Sequence, residues 1–352
     1  MTDVESPKRI IIFELNWLGD ILFSFPLLRA LRLRFPTAYI SCVVVPRYAD
    51  LLANVPWINY VHVLSDDNRI FSVGEKLDFV DMVKKEKYGT AVFLKASRTK
   101  VIMSMLAGIP ERVGFAGKNL PLTSEVACPN GAVHRADQLL SLAGLFGIDK
   151  ADGTYEYFIR DDDKERMERI LSGIGVGRNP FIVLNPGGNW DAKRWSPMNF
   201  ISLARQILWA FRDLDIVITG APGDRTLGDT IVSEAGGERV YNTAGRTSLN
   251  ELAALFLSSE LVVSADSGPL HLASATGATT IGLFGPTSPE ITGQRGRGRN
   301  IVIRSSPDCA VPCYVKKCRN NNVCMYSIGV DTVFSAIRDA LKNKDRIWTS
   351  PA

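Results

Sequence analysis

Residues 261–290 constrain the fold more than any other stretch of the chain: Leu-Val-Val-Ser-Ala-Asp-Ser-Gly-Pro-Leu-His-Leu-Ala-Ser-Ala-Thr-Gly-Ala-Thr-Thr-Ile-Gly-Leu-Phe-Gly-Pro-Thr-Ser-Pro-Glu. Residues 261–264 are a short apolar run suited to a strand buried on both faces. Asp266-Ser267-Gly268-Pro269 follows. Ser267 or Asp266 can cap a helix there, and Pro269 suits a first turn that has no use for its missing N–H. Gly277 is the residue type that closes a helix in a left-handed conformation. Residues 279–284 form the next apolar run, and 285–289 a second turn. Two successive strands thus release their C-terminal ends into loops of small residues, hydroxyls and backbone N–H groups. The helix after Ser267 aims its positive end at that space, which suits an anion such as a diphosphate. A plain strand–helix–strand unit uses the same residue types, so the spacing leaves both readings open. His271, one turn into the helix, can reach an anion at its start, or can be a core histidine satisfied by a neighbour.

A 352-residue chain is long enough for two domains, each with its own core. The pattern before residue 148 alternates strand and helix: strands at 9–15, 39–45, 60–64, 90–94 and 111–114, helices at about 21–34, 48–53, 79–87, 101–107 and 134–146. Pro26 either kinks the first long helix or marks a restart after Ser24. Alternation of this kind describes a doubly wound parallel sheet. Composition shifts at 148–163, where acidic and small residues interrupt the apolar pattern. This gives two domains, 1–160 and 161–352. The second sheet starts at 181–185 and continues with a helix at 197–211, a strand at 215–219 and a helix at 225–235. Ser248-Leu-Asn-Glu251 is a capping box that opens a helix at 249–257, and 331–341 is a final helix. The expected fold class is α/β, with two Rossmann-like doubly wound domains facing a cleft.

In such sheets the chemistry belongs at the C-terminal ends of the strands. Three loops qualify: 16–20, 185–195 and 266–271. The loop Asn185-Pro-Gly-Gly-Asn-Trp-Asp-Ala-Lys-Arg-Trp195 offers a glycine-rich backbone that can approach a phosphate, with Lys193 and Arg194 to answer its charge. A solvated loop with two incidental cations would look the same. Asp20 lies at a helix start, where the positive end favours its ionised form, and also fits a simple first-turn carboxylate or cap. Lys95, Arg98 and Lys100 follow the fourth strand. Sharper motifs are missing: no G-x-G-x-x-G follows the first strand, and the run from Gly114 does not complete a Walker loop. Ser267 lacks a nucleophile elbow, and Asp213-Leu-Asp215, before a strand, reads as solvated.

A net charge of +4 is too small to argue for nucleic acid, though it helps to hold anions. The most apolar stretch, 10–28, is broken by Glu14 and Asp20 and reads as strand plus helix, not as a membrane span. With no signal-peptide pattern, the expected location is cytoplasmic. Four of the six cysteines crowd at Cys309, Cys313, Cys318 and Cys324. Their spacing does not match the paired C-x2-C ligand pattern of structural zinc, so reduced thiols packing a loop are the first reading and metal binding the alternative; the chemistry calls for no metal and no cofactor.

The motifs together resemble glycosyltransferase family 9, the heptosyltransferases of lipopolysaccharide core assembly. The matching pieces are Leu18-Gly19-Asp20, Arg112-Val-Gly-Phe115, Asn185-Pro-Gly-Gly with Lys193-Arg-Trp195, Gly220-Ala-Pro-Gly-Asp224, Asp266-Ser-Gly-Pro-Leu-His271 and Phe284-Gly-Pro-Thr287. They cover nearly the whole chain in the family's order, and the cysteine cluster also looks like one in many members. The resemblance implies a GT-B fold with an acceptor-binding first domain and a donor-binding second domain. It implies an inverting, metal-independent transfer from a nucleotide-diphosphate sugar, typically ADP-heptose, with Asp20 as the base. Lys193, Asp266, Ser267, Gly268, His271 and Thr287 would hold the donor, and Lys95, Arg98 and Arg112 the anionic groups of the acceptor. Many members carry an acidic residue near the donor ribose; here either Asp224 takes that place or nucleotide recognition differs. The implied acceptor is a lipid-linked saccharide at the cytoplasmic face of the inner membrane, where the enzyme could sit peripherally. Two rival classes share the architecture: a nucleotide-sugar epimerase or hydrolase, and a catalytically silent nucleotide-sugar binding protein.

Overall fold

Short β-rich runs separated by amphipathic helices can bury both faces of a strand only as a parallel sheet with helices on each side. The computed structural model has this architecture twice. It describes residues 8–65, 72–117, 119–177, 179–305, 309–313, 315 and 318–345. The chain divides into two compact units, Met1–Tyr155 and Glu156–Ala352.

The first unit runs β1 (Arg9–Phe13), α1 (Leu18–Arg34), β2 (Tyr39–Val44), α2 (Ala49–Leu52), β3 (Tyr60–Val63), α3 (Ser72–Glu86), β4 (Thr90–Phe93), α4 (Arg98–Leu106), β5 (Glu111–Phe115), β6 (Ser124–Val126) and α5 (Arg135–Leu140). Its sheet order is β3-β2-β1-β4-β5-β6, with every pairing parallel. Ile11 and Phe13 face one side, packed with Phe93 beneath Phe79 and Val83 of α3 and Val101 of α4. Ile10 and Ile12, also fully buried, alternate to the other side.

The second unit runs α6 (Asp161–Gly173), β7 (Phe181–Asn185), α7 (Pro197–Ala210), β8 (Asp215–Ile218), α8 (Arg225–Ala235), β9 (Val240–Asn242), α9 (Leu249–Ser258), β10 (Val262–Ala265), α10 (Gly268–Ala275), β11 (Thr280–Phe284), α11 (Pro289–Thr292), β12 (Asn300–Arg304), α12 (Val323–Tyr326) and α13 (Val330–Asp345). Its order is β12-β11-β10-β7-β8-β9, again all parallel. Leu184, Ile216, Val263 and Leu283 pack with Phe200, Ile207 and Ile337 in its core.

Counted from each unit's own first strand, both sheets read 3-2-1-4-5-6. The strand order therefore reverses between β1 and β4 and again between β7 and β10, where the loops beyond the C-terminal ends part and open a crevice.

Four expectations change. Of the two readings of Pro26 the restart falls, since α1 continues through it. The long helix expected at 134–146 is α5 followed by a tighter 3-10 segment, Ser141–Phe146, closed by left-handed Gly147. Strands β6, β9 and β12 were not foreseen. Asp215 is the first residue of β8 and buried, accepting a hydrogen bond from Asn179 (3.1 Å), so it is not solvated.

Candidate functional site

In the second unit the two central strands, β7 and β10, end side by side, and Asn185 Nδ2 donates to Ser264 Oγ across them at 3.0 Å. The loop leaving β7 owes its shape to its own side chains. The Arg194 guanidinium donates twice to the Gly188 carbonyl, at 2.8 and 2.6 Å. Trp195 is buried and donates from Nε1 to the Ile328 carbonyl at 2.9 Å. Between these anchors a single 3-10 turn, Asp191–Lys193, delivers Lys193. Its Nζ lies 5.2 Å from the Trp190 ring centre and donates to Asp266 Oδ2 at 2.9 Å.

Asp266 stands just beyond β10 and is the hub of the cluster. Its Oδ1 is 3.3 Å from His271 Nε2, and its Oδ2 also accepts from the Thr292 hydroxyl at 3.2 Å. Burial pushes this carboxyl up, but the His271 hydrogen bond and the Lys193 charge outweigh it, holding the group well below the usual carboxylate range. Asp266 is thus a fixed anion that locks the lysine and the imidazole in place. Asp266 directly follows the strand and His271 lies one turn into α10, so the short turn between them brings the two side chains together.

Ser267 occupies the cap position of α10 with no side-chain cap hydrogen bond; its hydroxyl instead lies 3.1 Å from Ser264 Oγ. The first-turn amides of α10 are therefore left uncapped by the residue expected to cap them, the condition in which a helix start holds an anion. The next loop brings Thr287, which is buried with no hydrogen-bond partner for Oγ1 among the described residues. Thr219, just after β8, is buried in the same condition and was not foreseen.

Asp224 is engaged within its own unit. Its Oδ2 accepts from the Ala221 N–H at 3.0 Å, and its Oδ1 lies 3.6 Å from Arg194. Gly187 and Gly220 press against it so closely that a methyl group on either would overlap it. It clamps two loops together.

In the first unit Asp20 lies in the first turn of α1, half-buried, on the loop leaving β1. The next strand in space, β4, releases the exposed Lys95 and Arg98 at the same edge, and Lys100 Nζ donates to the Glu14 carbonyl at 3.4 Å. Arg47, after β2, was missed: it donates to the Asn16 carbonyl at 2.9 Å and lies over the exposed Trp17 ring. Glu14, the residue after β1, was read only as an interruption. Arg112 sits near the start of β5, away from Lys95 and Arg98, and its guanidinium donates to the carbonyls of Ile109 (2.6 Å), Pro110 (3.0 Å) and Pro121 (3.1 Å), bracing a turn.

The clustered thiols are free, with Asn320 donating to both Cys318 Sγ and Cys309 Sγ at 3.4 Å. Among the described residues no group of three or more His, Cys, Asp or Glu side chains is arranged to hold a metal ion. Nor is any described helix long and apolar enough to cross a membrane.

Two doubly wound units, each with its chemistry-bearing loops at the sheet's switch point, are the architecture of the GT-B glycosyltransferases. The family model for glycosyltransferase family 9 (heptosyltransferase) matches residues 79–324, and the chain belongs to that family. Lipopolysaccharide heptosyltransferase 2 of Escherichia coli (strain K12) is 25% identical over 296 residues, covering 81% of this chain and 84% of the relative. Two solved structures share the fold. The E. coli ADP-heptose lps heptosyltransferase II has a TM-score of 0.79 at 23% identity, covering 96% of this chain and 99% of that one. The family 9 glycosyl transferase of Veillonella parvula DSM 2008 has a TM-score of 0.84 at 19% identity, covering 96% and 98%. The chain is thus an enzyme, a glycosyltransferase of the heptosyltransferase kind.

Proposed function

We propose that the enzyme transfers a heptose, with inversion, from ADP-heptose to a lipid-linked lipopolysaccharide core saccharide, acting at the cytoplasmic face of the inner membrane. The observation that carries this reading is the Lys193–Asp266–His271 cluster beside the uncapped start of α10 and the unpartnered Thr287 hydroxyl. Cation, amides and hydroxyl together suit a diphosphate, while the buried Asp266 carboxylate suits sugar hydroxyls. The names of the relatives supply the sugar and the acceptor.

In this reading the second unit holds the donor. Lys193, the amides of Ser267 and Gly268, and Thr287 meet the diphosphate; His271 and Asp266 orient it and the sugar. Asp224 shapes the pocket from behind, through the loops it clamps. The first unit holds the acceptor, with Lys95 and Arg98 facing its anionic groups. Asp20 takes the proton from the acceptor hydroxyl as that oxygen bonds to the anomeric carbon. The bond from that carbon to the diphosphate breaks on the opposite face, so the configuration inverts and ADP leaves. The charge developing on ADP is met by the lysine and helix amides, with no step routed through a metal.

Asp20→Asn tests the assignment of the base. It keeps the side chain's size and most of its capping ability, so folding and donor affinity should be unchanged. Turnover at saturating donor and acceptor should fall at least about a hundredfold, the usual range for a lost general base. Near-normal turnover would reduce Asp20 to a helix-start carboxylate. Activity lost in step with ADP affinity would put it in the donor site instead.

A further inference from the structure

We infer that the outer face of α4 is a docking surface for an anionic lipid bilayer. Helix α4 turns Val101, Met103 and Ser104 inward, and Val101 and Met103 join the core of the first sheet. On the other side Ile102, Met105 and Leu106 are 49%, 45% and 59% exposed. Spacings of three and four put them on one strip of the helix, with Arg98 one turn before Ile102. Single exposed apolar residues need no explanation, but three on one face of a nine-residue helix form a contiguous patch of the kind that marks a contact surface.

Charge selects the occupant. From Lys87 to Pro110 the chain carries Lys87, Lys95, Arg98 and Lys100 and no aspartate or glutamate. Lys95 is exposed in the loop that leads into the helix and Arg98 at its first residue, Lys100 is half-buried, and the apolar strip occupies the rest of the helix. An apolar strip with cations at one end is the chemistry of a helix lying in a headgroup layer, side chains toward the acyl boundary and cations toward phosphates. The neighbouring helix α3 also exposes Val73 and Leu77, but among Glu75, Asp78 and Asp81 with only Lys76 beside them, while its exposed Lys84 and Lys85 lie in its last turn, away from those apolar residues; of the two helices, α4 alone joins an apolar strip to cations without acids.

The inference rests on the reading of a lipid-linked acceptor and deepens it. The cations of α4 stand at the sheet edge where that acceptor would arrive, so the same helix would hold the enzyme against the membrane that displays its substrate.

The test uses the full-length enzyme and vesicles of phosphatidylethanolamine and phosphatidylglycerol, with phosphatidylcholine vesicles for comparison. Co-sedimentation should be strong with the anionic vesicles, weak with phosphatidylcholine, and reduced by salt. The triple variant Ile102→Ser, Met105→Ser, Leu106→Ser should lower vesicle partitioning at least about tenfold, roughly 1.4 kcal/mol. Its ADP affinity and its turnover on a delipidated acceptor should stay at wild-type levels. Hydrogen exchange on the unaltered enzyme gives a second measurement: amides 98–106 should slow when anionic vesicles are added. No vesicle binding, equal binding by the triple variant, or binding without protection of 98–106 would each overturn the proposal. So would a triple variant that turns a dimer into a monomer and binds vesicles undiminished, since the strip would then join two copies of the chain. Vesicle binding is read without turnover, so α4-dependent binding by an enzyme that transfers no heptose would fault only the proposed function.

Discussion

Glu14 places a carboxylate where solvent does not reach it, directly after the central strand of the first sheet. Ser24 Oγ donates to its Oε1 at 3.1 Å, with Cys42 Sγ at 3.8 Å, while Oε2 has no hydrogen-bond partner among the described residues. Burial pushes the group up to about 7, against the pull of Ser24, the Leu15 amide, Cys42 and Lys100. The native state therefore keeps a proton that the unfolded chain releases near 4.5. Stability from this residue is fully present below that value and declines as pH rises toward 7 and beyond. The decline should approach about 3 kcal/mol, and Glu14→Gln should remove it. Urea unfolding of both proteins at pH 5 and pH 8 checks this, and parallel pH dependence in the two would refute it. Asp266 works in the opposite sense: held low, it stabilises the fold above the ordinary carboxylate range and loses that contribution in acid. Residue types and loop positions were enough to gather Lys193, Asp266 and His271 from two separate segments. Glu14, Arg47 and Thr292 went unread because each acts through a neighbour elsewhere in the chain, and Thr219 because its burial beyond β8 is set by packing.

Among the elements, the central strands were legible because both faces are buried and the apolar run is continuous. The missed strands β6, β9 and β12 are all at sheet edges: β6 and β9 are only three residues long, and β12, though it carries Ile301, Val302 and Ile303, is partly exposed and follows a glycine- and arginine-rich loop that masks it. Local chemistry was legible where it is self-contained. At the start of α9, Ser248 accepts from the Glu251 amide at 3.2 Å and Glu251 accepts from the Ser248 amide at 2.7 Å, as the capping box requires. At α10 the expected cap residue is in place, but its hydroxyl is drawn to Ser264, a choice made by packing and invisible in the local sequence. The loop after β7 depends on a close approach that only glycine permits. Gly187→Ala would drive a methyl group into the buried Asp224 carboxylate and part the two clamped loops. Overpacking of this kind costs about 1–3 kcal/mol. A melting temperature lower by several degrees, with weakened ADP binding, is the expected result; an unshifted melting curve would mean that Asp224 moves aside freely.

At the scale of the molecule, one topology occurs twice with different loop chemistry: an acid and cations in the first unit, a lysine–aspartate–histidine cluster in the second. If the second unit alone binds the donor, ADP should slow hydrogen exchange in 186–196 and 266–272 and leave 14–20 and 95–98 unchanged. Lys193→Ala should weaken ADP by roughly 1.5–3 kcal/mol, the value of a lost charge-assisted hydrogen bond, and diminish that protection. Protection centred on the first unit would reverse the division of labour. The doubly wound character of both units was legible from the alternation of elements.

The hydrogen bond from Trp195 to Ile328 spans 133 positions of the chain. Synthesis proceeds from the N-terminus, and domains generally fold as they emerge. The first unit can therefore reach its final form on the ribosome while the lysine loop of the second still lacks its anchor. That loop gains this anchor only once residue 328 has been made, so a chain ending before it would carry every proposed donor-binding residue and still lack the bond.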